Sequence, residues 1–162
     1  MNTAGIEALR VFYVGNRQQL YTYAVSITGN RESAEDAIQG VFEKLLRAEA
    51  LPADLRPYVF RSVRNAAYDA GRRTRVRTDS IFEAAAMVDA AESGPRVGFG
   101  ADDLEPLLQR LSADEREAIL LKIHGGFTFH EIAELRQVPL PTVASWYRRG
   151  LDRMKAILTT EC

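Results

Sequence analysis

Six polar side chains recur at helical spacing in residues 58–75, and their chemistry suits contact with a nucleic acid. At 100° per residue, an arc of roughly 100° holds all six, which are Arg61, Arg64, Asn65, Tyr68, Arg72 and Arg75. Guanidinium groups neutralise phosphates, an asparagine amide can donate to and accept from a base edge, and a tyrosine ring can stack on an unpaired base. An ordinary solvated face mixes acids with bases, whereas the one acid here, Asp69, points off the arc. The pattern predicts a nucleic-acid-binding surface, called the basic face below.

A second candidate for DNA contact lies in residues 141–158. Hydroxyls and arginines occupy the polar side of this predicted helix, at Thr142, Ser145, Arg148 and Arg149, with Asp152 beyond them. Such groups near the start of the second helix of a helix-turn-helix meet base edges and phosphates in the major groove. A solvated surface helix would look the same, so this face alone leaves both interpretations open. Trp146 lies between the polar and apolar faces and is predicted to be a packed aromatic.

The sequence around this helix has the helix-start and helix-stop signals of a helix-turn-helix. Capping boxes and helix breakers alternate along it, as Ser112 with Glu115, Gly125-Gly126, Thr128 with Glu131, Val138-Pro139, and Pro141 in a first turn. The apolar side of the last helix is expected to pack on Ile132, Ala133 and Leu135. That side comprises Val143, Tyr147, Gly150, Leu151, Met154 and Leu158. A short helix, a tight turn and a longer helix are therefore predicted.

The segment 31–47 has a different character. Its predicted core stripe is Ala34, Ala37, Ile38, Val41 and Leu45, and its other side shows Glu35, Asp36, Gln39 and Glu43, with Phe42 and Leu46 at the border. Acids around a half-exposed aromatic suit a protein partner that carries basic helices. Ordinary amphipathicity explains the same pattern equally well.

Charge and periodicity divide the chain into two all-α domains. The net charge is −1, which excludes a bulk nucleic-acid coat protein and leaves DNA binding to local patches. Residues 56–77 hold seven arginines, whereas residues 79–105 carry seven acids against Arg96 alone. We predict a helical domain at 1–77, an acidic flexible linker at 78–102 and a second helical domain at 103–162. The expected helices lie near 4–14, 17–28, 31–47, 54–74, 103–110, 113–124, 129–136 and 141–158.

Several function classes are not expected. The longest apolar runs are too short to span a membrane, and the first residues lack a secretory hydrophobic segment, so a cytoplasmic location without membrane insertion is expected. The only cysteine, Cys162, permits neither an intramolecular disulfide nor a cysteine metal site. His124 and His130 have no nucleophile or metal-ligand cluster nearby in sequence, and no glycine-rich phosphate loop follows a strand. No enzyme activity, metal or cofactor is therefore predicted.

The order of these segments resembles the extracytoplasmic-function (ECF) sigma factors. Residues 34–42 read AEDAIQGVF, similar to the family's A-E-D-x-x-Q-x-x-F, and residues 58–69 read YVFRSVRNAAYD, similar to W-L-Y-R-x-x-R-N-x-x-x-D. Residues 111–121 read LSADEREAILL, 131–134 read EIAE, and 138–145 read VPLPTVAS, similar to the family's fourth region. The resemblance covers nearly the whole chain outside the linker and the first residues.

The resemblance implies a role for each surface. Asp36, Gln39, Phe42 and Glu43 would contact the β′ clamp helices of core RNA polymerase, whose β flap is a further implied contact. The loop 48–55 and the basic face would open and bind the −10 element, and Thr142, Ser145, Arg148 and Arg149 would lie in the −35 major groove. An anti-sigma factor is a further partner that the resemblance admits. The chain departs from the family pattern at Tyr58, Gln137, Ala144 and Trp146, and the last two flank the recognition serine.

A stand-alone helix-turn-helix regulator is the alternative. It would account for residues 111–158 but would leave the basic face and the acidic helix before it without a purpose. The two hypotheses differ in whether promoter binding depends on core RNA polymerase.

Overall fold

A computed structural model gives the fold of residues 2–81 and 104–161, with side chains described within 2–70 and 106–160. Its helices fall into two compact units, within Met1–Gly98 and Phe99–Cys162. The N-terminal unit contains α1 (Thr3–Thr28), α2 (Arg31–Arg47) and α3 (Leu55–Ile81). The C-terminal unit contains α4 (Leu104–Gln109), α5 (Ala113–Ile119), a wider helical turn (Leu120–His124), α6 (Phe129–Arg136) and α7 (Leu140–Glu161). The described parts of the chain contain no strand, and the predicted all-α class is confirmed.

One long helix, α1, replaces the two that were expected at 4–14 and 17–28, so that prediction was wrong. The predicted gap contains Gly15 and Asn16, but a glycine inside a helix costs only about 1 kcal/mol relative to alanine. Asn16 remains helical and donates its side-chain Nδ2 to the Phe12 carbonyl at 3.0 Å. The helix ends instead at Gly29, whose φ of 69° is the left-handed conformation of a C-terminal cap.

The three helices of the N-terminal unit all contact one another and share one core. The five predicted core residues of α2 (Ala34, Ala37, Ile38, Val41 and Leu45) are all buried, which confirms that stripe. From α3, Val59, Phe60, Val63 and Ala67 are at most 1% exposed. The apolar side of α3 is thus fixed in the core, which leaves the basic face turned away from it.

The third helix is longer than predicted, because its backbone continues to Ile81 rather than ending near residue 74. The predicted linker at 78–102 therefore begins inside α3. Residues 82–102 of that linker lie outside the described residues.

Both predicted capping boxes are present in the C-terminal unit. Ser112 Oγ accepts from the Glu115 amide at 3.2 Å, and the Glu115 carboxylate accepts from the Ser112 amide at 3.2 Å. Thr128 and Glu131 make the same reciprocal pair at 3.1 and 2.9 Å. Each box satisfies two amides that a helix start leaves free, so both helix starts lie where the sequence predicts them.

Steric requirements explain why two glycines, Gly125 and Gly126, follow the turn Leu120–His124. A Cβ on Gly125 would lie 2.9 Å from the Leu121 carbonyl oxygen and 3.0 Å from the Phe127 ring. Gly126 has a φ of 72°, which L side chains rarely adopt. The pair lets the chain reverse tightly enough to bury Phe127, which is 1% exposed.

The last helix, α7, packs on α5 as well as on the expected α6. Its buried side follows Val143, Gly150 and the half-buried Tyr147 and Met154, and the last two pack against a cluster that includes Leu108 and Ile119. Leu151 and Leu158, which were expected on this side, are 37% and 48% exposed. At 100° per residue, Leu151 lies about 70° and Leu158 about 50° around the helix from the middle of the contact line, so including them was wrong.

The turn of the helix-turn-helix contains a strained residue. Gln137 caps α6 with a φ of 57° and is the only non-glycine residue with a positive φ in the described part of the chain. Beyond it, the Pro139 carbonyl accepts from the Thr142 amide at 3.0 Å and so opens α7. The left-handed conformation costs a side-chain-bearing residue roughly 1–2 kcal/mol.

Replacing Gln137 by glycine is therefore expected to raise the free energy of unfolding of the C-terminal unit by about 1 kcal/mol, after the entropy that glycine gives the unfolded chain is subtracted. Trp146 is the chain's only tryptophan, so its fluorescence during urea unfolding reports on this unit. The matched control is Lys155→Gly, at an exposed site within right-handed α7, which should lower the same free energy by about 1 kcal/mol. A loss of stability in both variants would contradict the assignment of strain to Gln137.

No helix among residues 2–81 and 104–161 combines the length and the apolar character that a membrane crossing requires.

Candidate nucleic-acid and polymerase interface

The basic face on α3 lies opposite the buried apolar side. Asn65 is exposed, and Arg61, Arg64 and Tyr68 are half-buried. The four side chains span about two turns of one helix. The core residues on the other side of α3 fix its rotation, so the direction in which these side chains point is also fixed. A short amide thus lies beside two arginines on the same side of the helix. This arrangement can hold a phosphate and a base edge at the same time.

Arg64 lies over the ring of Tyr68, with its guanidinium carbon 4.6 Å from the ring centroid. A cation over a tyrosine ring is attracted by the ring's quadrupole. One side of the Tyr68 ring is therefore already covered. This contact was not expected from the sequence, which predicted the Tyr68 ring as an open stacking surface.

Arg72 and Arg75 complete the predicted basic face. Their backbones belong to α3, whereas their side chains lie outside the described side chains. The helical backbone through both positions preserves the angular spacing that relates them to Asn65.

The outer side of α2 carries the predicted polymerase-binding residues. Asp36, Gln39 and Glu43 are exposed, and Gln39 Nε2 donates to Glu43 Oε1 at 3.1 Å. Phe42 is half-buried and stacks on Tyr13 of α1 with 5.1 Å between ring centroids. Gln39, Phe42 and Glu43 line a groove of about 910 Å³ between α1 and α2, and Asp36 lies outside that lining. The four residues thus form an acidic ridge with an aromatic groove along one side.

On α7, the predicted DNA-contacting residues form one polar side near the helix start. Arg148 and Arg149 are exposed, and Thr142 and Ser145 are half-buried. Val143 is fully buried on the opposite side, which fixes the rotation of the helix. Trp146 is half-buried beneath Arg136, whose guanidinium carbon lies 4.7 Å from the ring centroid. Trp146 is thus a packed aromatic, as predicted, but its contact with Arg136 was not predicted from the sequence.

Both histidines lie in the C-terminal unit. Burial lowers the pKa of His124 below its ordinary value of 6.5, so this imidazole is neutral at pH 7. His130 is exposed and lies 3.1 Å from Glu134, one turn along α6. Within the described residues, no three histidine, cysteine or acidic side chains form a group that could hold a metal ion.

Comparison with known proteins identifies the family. The Sigma-70 region 2 model matches residues 12–77, and the Sigma-70 region 4 model matches residues 101–154. The ECF RNA polymerase sigma factor EcfG of Rhodopseudomonas palustris is 26% identical over 145 residues, which cover 86% of this chain and 78% of that protein. The chain belongs to the ECF sigma factors.

Two further relatives are consistent with this assignment. The ECF RNA polymerase sigma factor SigE of Mycolicibacterium smegmatis is 28% identical over 148 residues, which cover 86% of this chain and 57% of that protein. The RNA polymerase sigma factor CarQ of Myxococcus xanthus is 25% identical over 161 residues, which cover 94% of this chain and 90% of that protein. The relatives thus resemble this sigma factor across both units.

The fold also matches a solved structure. The sigma factor RpoE of Bartonella quintana, solved with the anti-sigma factor NepR, superposes with a TM-score of 0.71 at 21% identity, over 96% of this chain and 99% of that one. This likeness confirms the two-unit helical fold.

The assignment decides between the two functional hypotheses. A stand-alone helix-turn-helix regulator gives no reason for the region 2 match, which covers α2 and most of α3. As an ECF sigma factor, the protein binds core RNA polymerase and promoter DNA in transcription initiation. The alternative is not favoured.

Proposed function

We propose that the protein directs promoter-specific initiation by dividing promoter recognition between its two helical units. Residues 1–77 bind core polymerase and melt and bind the −10 element, residues 103–162 bind the −35 element, and residues 78–102 link them. The observation that carries the proposal is the position of Asn65, exposed beside two arginines on a helix whose other side is buried. An asparagine held in this way can bind a base edge while its neighbours bind phosphates.

The acidic ridge on α2 is proposed to bind the β′ clamp helices. Asp36 and Glu43 are exposed, and their negative charge complements a basic helical partner. Phe42 provides an aromatic anchor at the edge of the groove beside them. The ridge faces solvent while the core stripe of the same helix is buried, so a partner can dock without repacking α2.

The remaining DNA contacts are proposed from the positions of the side chains on α3 and α7. Arg61, Arg64, Arg72 and Arg75 bind phosphates or the melted strand, and the ring of Tyr68 stacks on an unpaired base. In the C-terminal unit, Thr142 and Ser145 meet base edges in the −35 major groove, and the exposed Arg148 and Arg149 bind base edges or phosphates.

We further propose that the protein works in the bacterial cytoplasm, performs no catalytic step itself and contacts the β flap through its C-terminal unit. An anti-sigma factor is included among the partners because the Bartonella quintana relative was solved with one bound.

The free protein is expected to bind duplex promoter DNA only weakly, with a Kd no tighter than about 1 µM at physiological salt. Its net charge is −1 and each basic surface is small. With core polymerase added, binding to a matched promoter should tighten to roughly 10⁻⁸ M or better. Fluorescence anisotropy with and without core enzyme measures both values, and a promoter with both elements scrambled is the control. Nanomolar, sequence-specific binding by the free chain would point to the stand-alone regulator instead.

A further inference from the structure

We propose that Arg136 is a positioning residue for −35 recognition: it fixes the orientation of α7 through Trp146 and does not touch DNA. The inference rests on the proposed function, in which α7 binds the −35 element. Arg136 is the last residue of α6 and directly precedes the strained Gln137 of the turn. It therefore lies at the joint between the two helices of the helix-turn-helix.

Its guanidinium group connects three helices. Nη2 donates to Asp114 Oδ1 at 2.8 Å, and Nη1 lies 3.2 Å from Glu117 Oε2, an ion pair without hydrogen-bond geometry. Both carboxylates belong to α5. The flat side of the same group covers the Trp146 ring on α7 at 4.7 Å. One side chain thus joins α5, α6 and α7.

The surroundings of this side chain favour a structural role over contact with DNA. The Arg136 side chain is 10% exposed and that of Glu117 is 3% exposed. A buried charge is tolerated when it is paired, and two carboxylates compensate this one. Because the charge of Arg136 is neutralised within the protein, its attraction for a DNA phosphate is weak. The other cations of the helix-turn-helix at Arg148 and Arg149 are exposed and available.

The contact with Trp146 links this cluster to recognition. Trp146 directly follows Ser145, the half-buried hydroxyl proposed to meet a base edge, and lies one turn before Arg149. A shift of the ring therefore moves both groups relative to the groove. Lysine cannot replace arginine here, because an ammonium lacks the planar fork that pairs with two carboxylates and stacks on a ring. The sequence shows only a basic residue at a helix end, which normally serves the helix dipole.

The test compares Arg136→Lys with Arg153→Lys in holoenzyme assembled with core polymerase. Arg153 also joins α5 and α7, through Glu115 at 3.6 Å, but it is exposed and no aromatic stacking is recorded for it among the described residues. Affinity is measured for promoter fragments with a matched and with a scrambled −35 element, across a salt series. Arg136→Lys is expected to reduce the ratio of matched to scrambled affinity about tenfold, the size of a desolvated cation–π contact. Its salt slope should stay unchanged, and Arg153→Lys should keep the wild-type ratio.

Trp146→Leu provides a second variant with the same expected loss and keeps the inference testable if Arg136→Lys does not fold. The double variant should be no worse than either single one, because both changes remove the same contact. The fluorescence of Trp146 supplies a readout independent of DNA, and its emission should shift in Arg136→Lys but not in Arg153→Lys.

Three outcomes would overturn the inference. A wild-type ratio retained by Trp146→Leu or by folded Arg136→Lys would show that the contact does not affect recognition. A salt slope lowered by about one would make Arg136 a phosphate contact. If the losses in the affinity ratio add up in the double variant, Arg136 and Trp146 act independently and not through a shared contact. If wild-type holoenzyme itself fails to distinguish the two −35 elements, the proposed function fails instead, and the ratio shows this before any variant is tested.

Discussion

Alanine at both Phe42 and Asp36 is expected to weaken binding to core RNA polymerase on the order of thirtyfold. An aromatic interface anchor contributes about 2 kcal/mol when it is truncated, and a charge at the rim adds to the association rate. Asp36 is exposed, so the charge is available to a partner. The measurement is competition between the variant and labelled wild-type protein for core enzyme.

The stacking of Phe42 on Tyr13 changes how this experiment must be designed. From the sequence, neither residue lies on the core stripe, and the fold was expected to be unaffected. In the structure, Phe42 is half-buried against α1, so its removal also costs some stability. The surface is therefore tested separately with Asp36→Ala and Gln39→Ala, which remove exposed side chains only. Lys44→Ala, another exposed substitution on α2, is the matched control, with wild-type competition expected. Undiminished competition by the Asp36 and Phe42 double variant would show that this ridge does not bind polymerase.

Replacing Asn65 by alanine is expected to cost on the order of 1–3 kcal/mol on a matched −10 element, the value of one good base contact. On mismatched elements the loss should be much smaller. Because the amide carries no charge, the dependence of affinity on salt should not change. The measurement is holoenzyme affinity for matched and mutated −10 fragments across a salt series.

Arg72→Ala and Arg75→Ala provide the contrasting result. If these arginines bind phosphates, each variant should weaken binding on every promoter and lower the salt slope by about one. Gln109→Ala removes an exposed amide from α4 in the other unit and should leave −10 discrimination intact. Equal losses for Asn65→Ala on matched and mutated fragments, with a smaller slope, would make Asn65 a backbone contact.

Features set by neighbours along the chain were predictable from the sequence. The buried stripe of α2 follows from a period of 3.6 residues, and all five of its residues are buried. Both capping boxes form between residues three apart, so their chemistry is complete within one turn. Each ECF motif lies on one helix or runs from it into the adjoining turn, and the order of the motifs along the chain was enough to predict the family.

Local signals failed where packing outweighed a weak preference. A break was predicted after residue 14, yet the helix continues to Thr28, because two helices pack along it and Gly15 costs little. Leu151 looked like a core residue of α7, but α5 approaches that helix along Gly150 instead. A Cβ on Gly150 would lie 2.5 Å from the Ile119 side chain, so this glycine sets how closely the two helices approach.

The sequence by itself determined the helical class, the starts of the two helices with capping boxes, the family and the surfaces that carry acids or arginines. Only the tertiary structure decided which of those groups remain available. Arg64 covers one side of Tyr68, Phe42 rests on Tyr13, and Arg136 is held between Asp114 and Trp146. The helical period shows which residues lie on the same face of a helix, but it does not show which other parts of the protein contact that face. Asp114 and Arg136 are 22 residues apart, and such a contact exists only once α5, α6 and α7 have packed together.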